Sequence, residues 1–137
     1  MGNHEKAVLS KKNKYYISKH RYYELKHFCL QYNEWIEELQ SLQGTGGTAG
    51  GEIHSDPQYS DPTYSKARRK IELQHNIELI KNSAQEADRV LFYYIFLAVT
   101  EERSYVYLKQ KLNIPCGKDM FYESYRRFFW LLSRRKI

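Results

Sequence analysis

The stretch SYVYLKQKLNIPCGKDMFYESYRRFF, residues 104–129, decides the fold. Ser104 stands where a helix N-cap belongs, and Tyr105, Leu108 and Leu112 share one face of a helix over residues 105–112. Asn113-Ile114-Pro115-Cys116-Gly117 then supplies turn residues around a single aliphatic side chain that can plug into a core. A second helix follows over residues 118–135, its apolar face formed by Phe121, Tyr125, Phe128 and Leu132. Two helices joined by a tight turn with a buried aliphatic make a helix-turn-helix.

Lys118, Asp119, Tyr122, Glu123, Arg126 and Arg127 fall away from that apolar stripe. In a helix-turn-helix the N-terminal part of the second helix enters the major groove, and its polar side chains reach base edges. Arginines further along meet phosphates, because neutralising a phosphate releases counterions. Glu123 suits base reading, since a carboxylate accepts from a cytosine amino group; the alternative is a solvated pair with Arg127. Lys118, Tyr122, Glu123, Arg126 and Arg127, with Lys109 and Lys111 of the preceding helix, are the expected DNA-contacting set. Phe128–Leu132 is too apolar to read a groove and is expected to anchor this helix on Val90–Val99. The basic Arg134-Arg135-Lys136 either touches phosphate or complements the negative end of the helix dipole.

Upstream, Val90–Val99 is apolar nearly all round, which predicts a central helix over residues 90–100 with Asp88 as its cap. Before it, Tyr64, Ala67 and Ile71 start one stripe, and Leu73, Ile77, Ile80, Ala84, Ala87 and Leu91 continue another about half a turn out of phase. The helix carrying them therefore packs on two neighbours or bends near Ile71. Asp61-Pro62 opens it, as cap and first helical residue. Residues 43–60 hold five of the seven glycines and read as a flexible linker. From Lys19 to Leu42, with Ser18 as cap, Tyr22, Leu25, Cys29, Tyr32, Ile36 and Leu39 recur at steps of three and four. One long helix is expected there, with Tyr22, Leu25, Tyr32, Ile36 and Leu39 as a homodimer interface. Residues 1–14 read as a frayed basic segment in which Lys6, Lys11, Lys12 and Lys14, with Tyr15 and Tyr16, form an arm against DNA or a solubilising tail.

The expected organisation is thus all-α: residues 1–42 a basic arm and interaction helix, 43–60 a linker, 61–137 a helical domain ending in the helix-turn-helix. At 137 residues the chain has no room for a large α/β enzyme. Its charge lies in blocks, net +5 over residues 1–27, −5 over 28–103 and +6 over 104–137, pointing to a polyanion partner at the ends. An apolar run of ten residues is too short for a membrane span, and there is no signal-peptide pattern, so a cytoplasmic protein is expected. Cys29 and Cys116 have no metal or redox spacing. His20, His27 and Cys29 are three ligand types without a fourth, and His54 and Asp56 lie in the linker. No phosphate loop, nucleophile elbow or metalloprotease helix is present. No catalytic activity, metal or cofactor is expected.

The segment Ser104-Tyr-x-x-Leu to Ile114-Pro-Cys, then Met120-Phe-Tyr and Arg126-Arg-Phe-Phe, resembles the small RinA/ArpU-type regulators of phages and integrated elements in Gram-positive bacteria. The layout agrees as well: an aromatic N-terminal helix, a glycine-rich gap and an Asp61-Pro62-Thr63 restart. The resemblance implies a sigma-factor-like C-terminal helix-turn-helix, with Ser104–Leu112 as positioning helix and Lys118–Ser133 as recognition helix. It implies groove-facing Lys118, Tyr122, Glu123 and Arg126, and sequence-specific binding of duplex DNA by a dimer that controls transcription. Two alternatives stay open. The protein binds and inhibits or redirects a host nucleic-acid machine, such as RNA polymerase or a CRISPR effector. Less favoured is a terminase small subunit.

Overall fold

Ser18 opens the first helix as its sequence position suggests, its Oγ accepting the Arg21 N–H at 3.2 Å. The computed structural model describes residues 11–44 and 62–137. Among these residues every regular element is helical: α1 (Lys19–Leu30), α2 (Tyr32–Gly44), α3 (Pro62–Ala87), α4 (Phe92–Thr100), α5 (Tyr105–Leu112) and α6 (Lys118–Arg135). The chain is therefore all-α. The expected linker from residue 45 onward and the Asp61 cap lie outside the described residues, as do Lys6, His54 and Asp56.

The single helix expected over residues 19–42 is instead two, divided at Gln31. The Gln31 side-chain amide donates to the His27 carbonyl at 3.3 Å, the acceptor an uninterrupted helix would give to the Gln31 N–H. That N–H turns to the Phe28 carbonyl at 3.2 Å, a tighter 3₁₀-type bond that ends α1.

The break coincides with the division of the chain into two compact units. One comprises residues 1–31 and 79–137, the other residues 32–78. In the first, α1, α4 and α6 pack against one another. Their buried faces supply Tyr22, Leu25 and Cys29 from α1, Ile95, Ala98 and Val99 from α4, and Phe121, Tyr125, Phe128, Phe129 and Leu132 from α6. Ile80 and Ala84 of α3 and Leu108 of α5 complete the core. Each such large side chain contributes about 1.5–3 kcal/mol relative to exposure. At the centre the Tyr22 and Tyr125 hydroxyls hydrogen-bond at 2.8 Å, and Phe129 meets both rings nearly edge-on, at 5.0 and 5.1 Å. Phe129 thus anchors α6 on α1, and α6 also packs against α4.

In the second unit Trp35 of α2 and Leu73 and Ile77 of α3 are buried. Arg69 grips Glu38 with two bonds of 2.7 and 2.9 Å and reaches Glu72 at 3.3 Å. The Arg69 hydrogen bonds hold the Glu38 carboxyl below its ordinary range.

The helix through residues 62–87 is continuous, and its two stripes have different surroundings. Residues up to Glu78 belong to one unit and those from Leu79 to the other. Tyr64 and Ile71, from the first stripe, face solvent. The expected central helix at 90–100 also differs. Asp88 does brace its start, Oδ1 accepting the Val90 and Leu91 N–H groups, both at 2.9 Å. Yet Val90, Phe92 and Tyr93 are exposed, because among the described residues the neighbours of α4 cover one side of it and leave the other open.

Candidate nucleic-acid interface

The geometry of α5, the turn and α6 follows from four local contacts. Ser104 Oγ accepts the Tyr107 N–H at 3.1 Å and starts α5. Asn113 ends it in the left-handed region, φ 53°, which asparagine tolerates better than most residues. Ile114 then drops into the core with no exposed surface, its N–H donating to the Leu108 carbonyl at 3.1 Å. The Tyr105 hydroxyl donates to the Cys116 carbonyl at 2.7 Å, and its ring lies 5.6 Å from Phe121. The turn is thereby tied to both helices.

Helix α6 begins at Gly117, which offers no capping side chain. The amides of its first turn have no side-chain acceptor at the N-cap. Two contacts fix its setting. Ser124 Oγ donates to Asp88 Oδ2 at 3.0 Å, linking α6 to the turn before α4. At the other end Arg21 of α1 donates to Ser133 Oγ and to the Ser133 carbonyl, both at 3.0 Å, and to the Lys136 carbonyl. A guanidinium there satisfies orphan carbonyls and complements the negative end of the helix. The same arginine hydrogen-bonds Glu24 at 2.9 Å, which lowers the Glu24 carboxyl pKa.

Of the expected DNA-contacting residues, Lys109, Lys111, Lys118 and Glu123 are exposed, and Arg126 and Arg127 are half-buried. All lie in the unit built from residues 1–31 and 79–137. The Arg126 Nη2 stands 3.9 Å from the Glu123 carboxylate, so the carboxylate pairs three residues on rather than with Arg127. The Nε atoms of both arginines are enclosed and have no hydrogen-bond acceptor. Tyr122 departs from the expectation. It is only 7% exposed and packs edge-on against Phe121 at 4.9 Å and Tyr125 at 5.8 Å. Because α6 is covered by both α1 and α4, its buried face takes about half the circumference, and Tyr122 falls inside that arc.

The expected dimer stripe is divided as well. Tyr22 and Leu25 have no exposed surface, being used in the chain's own core. Tyr32, Ile36 and Leu39 are half-buried on α2, beyond the break at Gln31. In the basic tail, Arg135 is engaged by Ser83 at 3.1 Å and by Glu86, and Lys136 lies over the Phe28 ring at 4.8 Å. Arg134 remains outward.

Burial pushes the Tyr22 phenol up to about 12 and the Tyr125 phenol well above its usual value. Burial also raises both cysteine thiols, which keeps them protonated and poor nucleophiles. His20 and His27 are exposed while Cys29 is buried. Among the described residues no three metal-binding side chains come together, and no helix is long and apolar enough to cross a membrane. A shallow cavity of about 590 Å³ beside α4 is lined by Asn82, Gln85, Glu86, Arg89, Phe92 and Arg135, with no nucleophile beside a base. No family model, curated protein or solved structure matches this sequence. Sequence reasoning missed Arg21, Ser124 and Asp88 Oδ2 as the groups that set α6. Each acts across more than thirty residues of chain, and no local spacing announces such a partner.

Proposed function

We propose that this chain is a sequence-specific, double-stranded DNA-binding regulator of a phage or integrated element, non-enzymatic, that docks the start of α6 in the major groove. The observation that carries the reading is the pairing of α5 and α6 through a turn plugged by Ile114, with the outer face of α6 left to solvent. That face presents Glu123, Arg126 and Arg127; Lys118 is exposed at the very start of the helix, and Lys109 and Lys111 are exposed on α5. Along the helix axis Glu123 to Arg127 covers about 6 Å at 1.5 Å per residue, within the roughly 12 Å width of the major groove. Lys118 and Glu123 then address base edges while Arg126 and Arg127 meet a phosphate wall. Tyr122 is part of the scaffold rather than a reader. The resemblance to RinA/ArpU-type regulators agrees with this assignment. A dimer remains part of the proposal, although Tyr22 and Leu25 are unavailable to it.

The test is binding to duplex DNA from upstream of the element's genes, measured against salt. Lys118→Ala and Arg126→Ala are expected to weaken binding, Arg126→Ala also lowering the salt slope by about one unit. Unchanged affinity and slope in both variants would refute the reading.

The bare side of α4 favours a second reading, docking on a host protein such as RNA polymerase. Phe92 and Tyr93 of that side line, with Phe96, Lys81, Ala84 and Gln85, a cleft of about 300 Å³. A host protein that co-purifies with the chain and is lost on Tyr93→Lys, in a chain without DNA affinity, would favour this alternative.

A further inference from the structure

The solvent face of α6 does not end at Arg127. One turn further lies Trp130, half-buried, and one turn beyond it Arg134. The Arg134 guanidinium sits over the Trp130 ring, 4.7 Å from its centroid. On the other side the Tyr15 ring approaches Trp130 at 5.5 Å, and Lys14 Nζ lies 5.1 Å from the Tyr15 centroid. Lys14, Tyr15, Trp130 and Arg134 therefore form a row with rings in the middle and a cation at each end. Neither cation has an ion-pair partner among the described residues.

A guanidinium stacked on an indole has its plane set in advance and keeps its N–H edge outward, so little side-chain freedom remains to be lost when it meets an anion. Arg127, on the same face, carries an Nε–H with no acceptor. On α6 itself the acids are Asp119 and Glu123, both towards its start, and at its other end the Glu24 carboxylate of α1 is held by Arg21. The side chains that α6 itself sets on the C-terminal half of the face thus include Trp130 and Arg134 and no acid.

We propose that Lys14, Arg127 and Arg134, arrayed around the Tyr15–Trp130 ring pair, form a second strip that grips the phosphodiester backbone of duplex DNA, outside the groove addressed by Lys118. The proposal rests on the DNA-binding reading above. Arg127 to Arg134 spans about 10 Å of helix, over which one strand of B-DNA presents about three charges at 3.4 Å spacing. Arg134 stands about 24 Å along the axis from Lys118, roughly two major-groove widths. The strip therefore starts at the phosphate wall met by Arg127 and continues, through Arg134 and Lys14, onto backbone that Lys118 and Glu123 do not touch. Residues 14 and 15 are, in this account, a fixed part of the DNA-binding surface rather than a loose arm.

The test uses the full chain and a labelled random-sequence duplex, with affinity read by anisotropy across a salt series. Each lost phosphate contact removes about 0.9 from the salt slope, which at 0.15 M salt is about a fivefold loss relative to 1 M. Lys14→Ala and Arg134→Ala are each expected to weaken binding about fivefold, and the double variant about 30-fold. Because phosphates carry no sequence information, the loss should be equal on upstream and random duplexes. In a Trp35→Phe background Trp130 is the one remaining tryptophan, and its emission should change on addition of duplex. If the double variant keeps its helical circular dichroism and also keeps wild-type affinity and slope, the strip is overturned while the groove reading stands. If the unmodified chain binds no duplex at any salt, both are overturned.

Discussion

Shortening Ile114 to alanine is expected to cost the chain about 2.4–5 kcal/mol of folding stability. Ile114 has no exposed surface and is the sole side chain of the Asn113–Gly117 turn that is fully enclosed. The substitution removes three carbons, worth about 0.8 kcal/mol each in transfer free energy, or about 2.4 kcal/mol. If the surroundings fail to collapse, the cavity raises the cost towards about 5 kcal/mol. The turn is held by the Ile114 N–H bond to Leu108 and by the Tyr105 hydroxyl on Cys116, so collapse is restrained and the upper half of the range is favoured. Urea unfolding followed by circular dichroism measures the change, with the exposed Ile71→Ala as a matched control. Ile71 is 66% exposed, so the same three carbons there should cost less than about 0.5 kcal/mol. A loss below about 1 kcal/mol for Ile114→Ala, or one equal to that of Ile71→Ala, would refute the view that this side chain joins α5 to α6.

Two further outcomes are expected. Tyr22 and Tyr125 both have phenols raised by burial, so the unfolded chain ionises first as pH rises above about 10. Stability should be level below that pH and fall as pH climbs towards about 12. Tyr22→Phe should make the fall shallower, read from urea midpoints across an alkaline series. Arg21→Ala removes the guanidinium bound to Ser133 and Lys136, and should cost about 1–2 kcal/mol with faster amide exchange in the last turn of α6; an unchanged midpoint would deny Arg21 that role.

The parts of the fold legible in the sequence are those governed by neighbours in the chain. Ser104 as a cap, Asn113 as a helix end, Ile114 as a plug and Lys118 as a helix start all depend on residues within a few positions. The division at Gln31 was not legible, because the apolar stripe from Tyr22 to Leu39 continues through it in register. A glutamine side chain that takes its own helix's acceptor leaves no periodic trace. Tyr122 was misplaced because a stripe drawn at steps of three and four marks a narrow seam, whereas α6 is covered from two sides. The width of a buried face depends on how many elements pack on it, and that is a tertiary property. The same holds for α4, whose evenly apolar sequence does not tell which side stays bare. Within the candidate interface, charge and spacing singled out the lysines and arginines of α5 and α6 as candidates, and the structure gives their exposure. The Trp130–Arg134 stack is a local contact of residues four apart on α6, whereas the Tyr15 ring beside it comes from folding back a segment more than a hundred residues away.

The hydroxyls of Tyr22 and Tyr125 meet across a sequence separation of 103 residues. During synthesis α1 therefore emerges long before α6, and although α4 precedes α6, until α6 is made Tyr22 lacks the Tyr125 hydroxyl and the Phe129 ring that meet it. A stalled or prematurely cleaved nascent chain would display this sticky aromatic face, the kind of surface that chaperones hold and proteases clear. Completion of the cationic helix is thus the step that closes the remaining side of α1, and a chain stopped short of it keeps that side open.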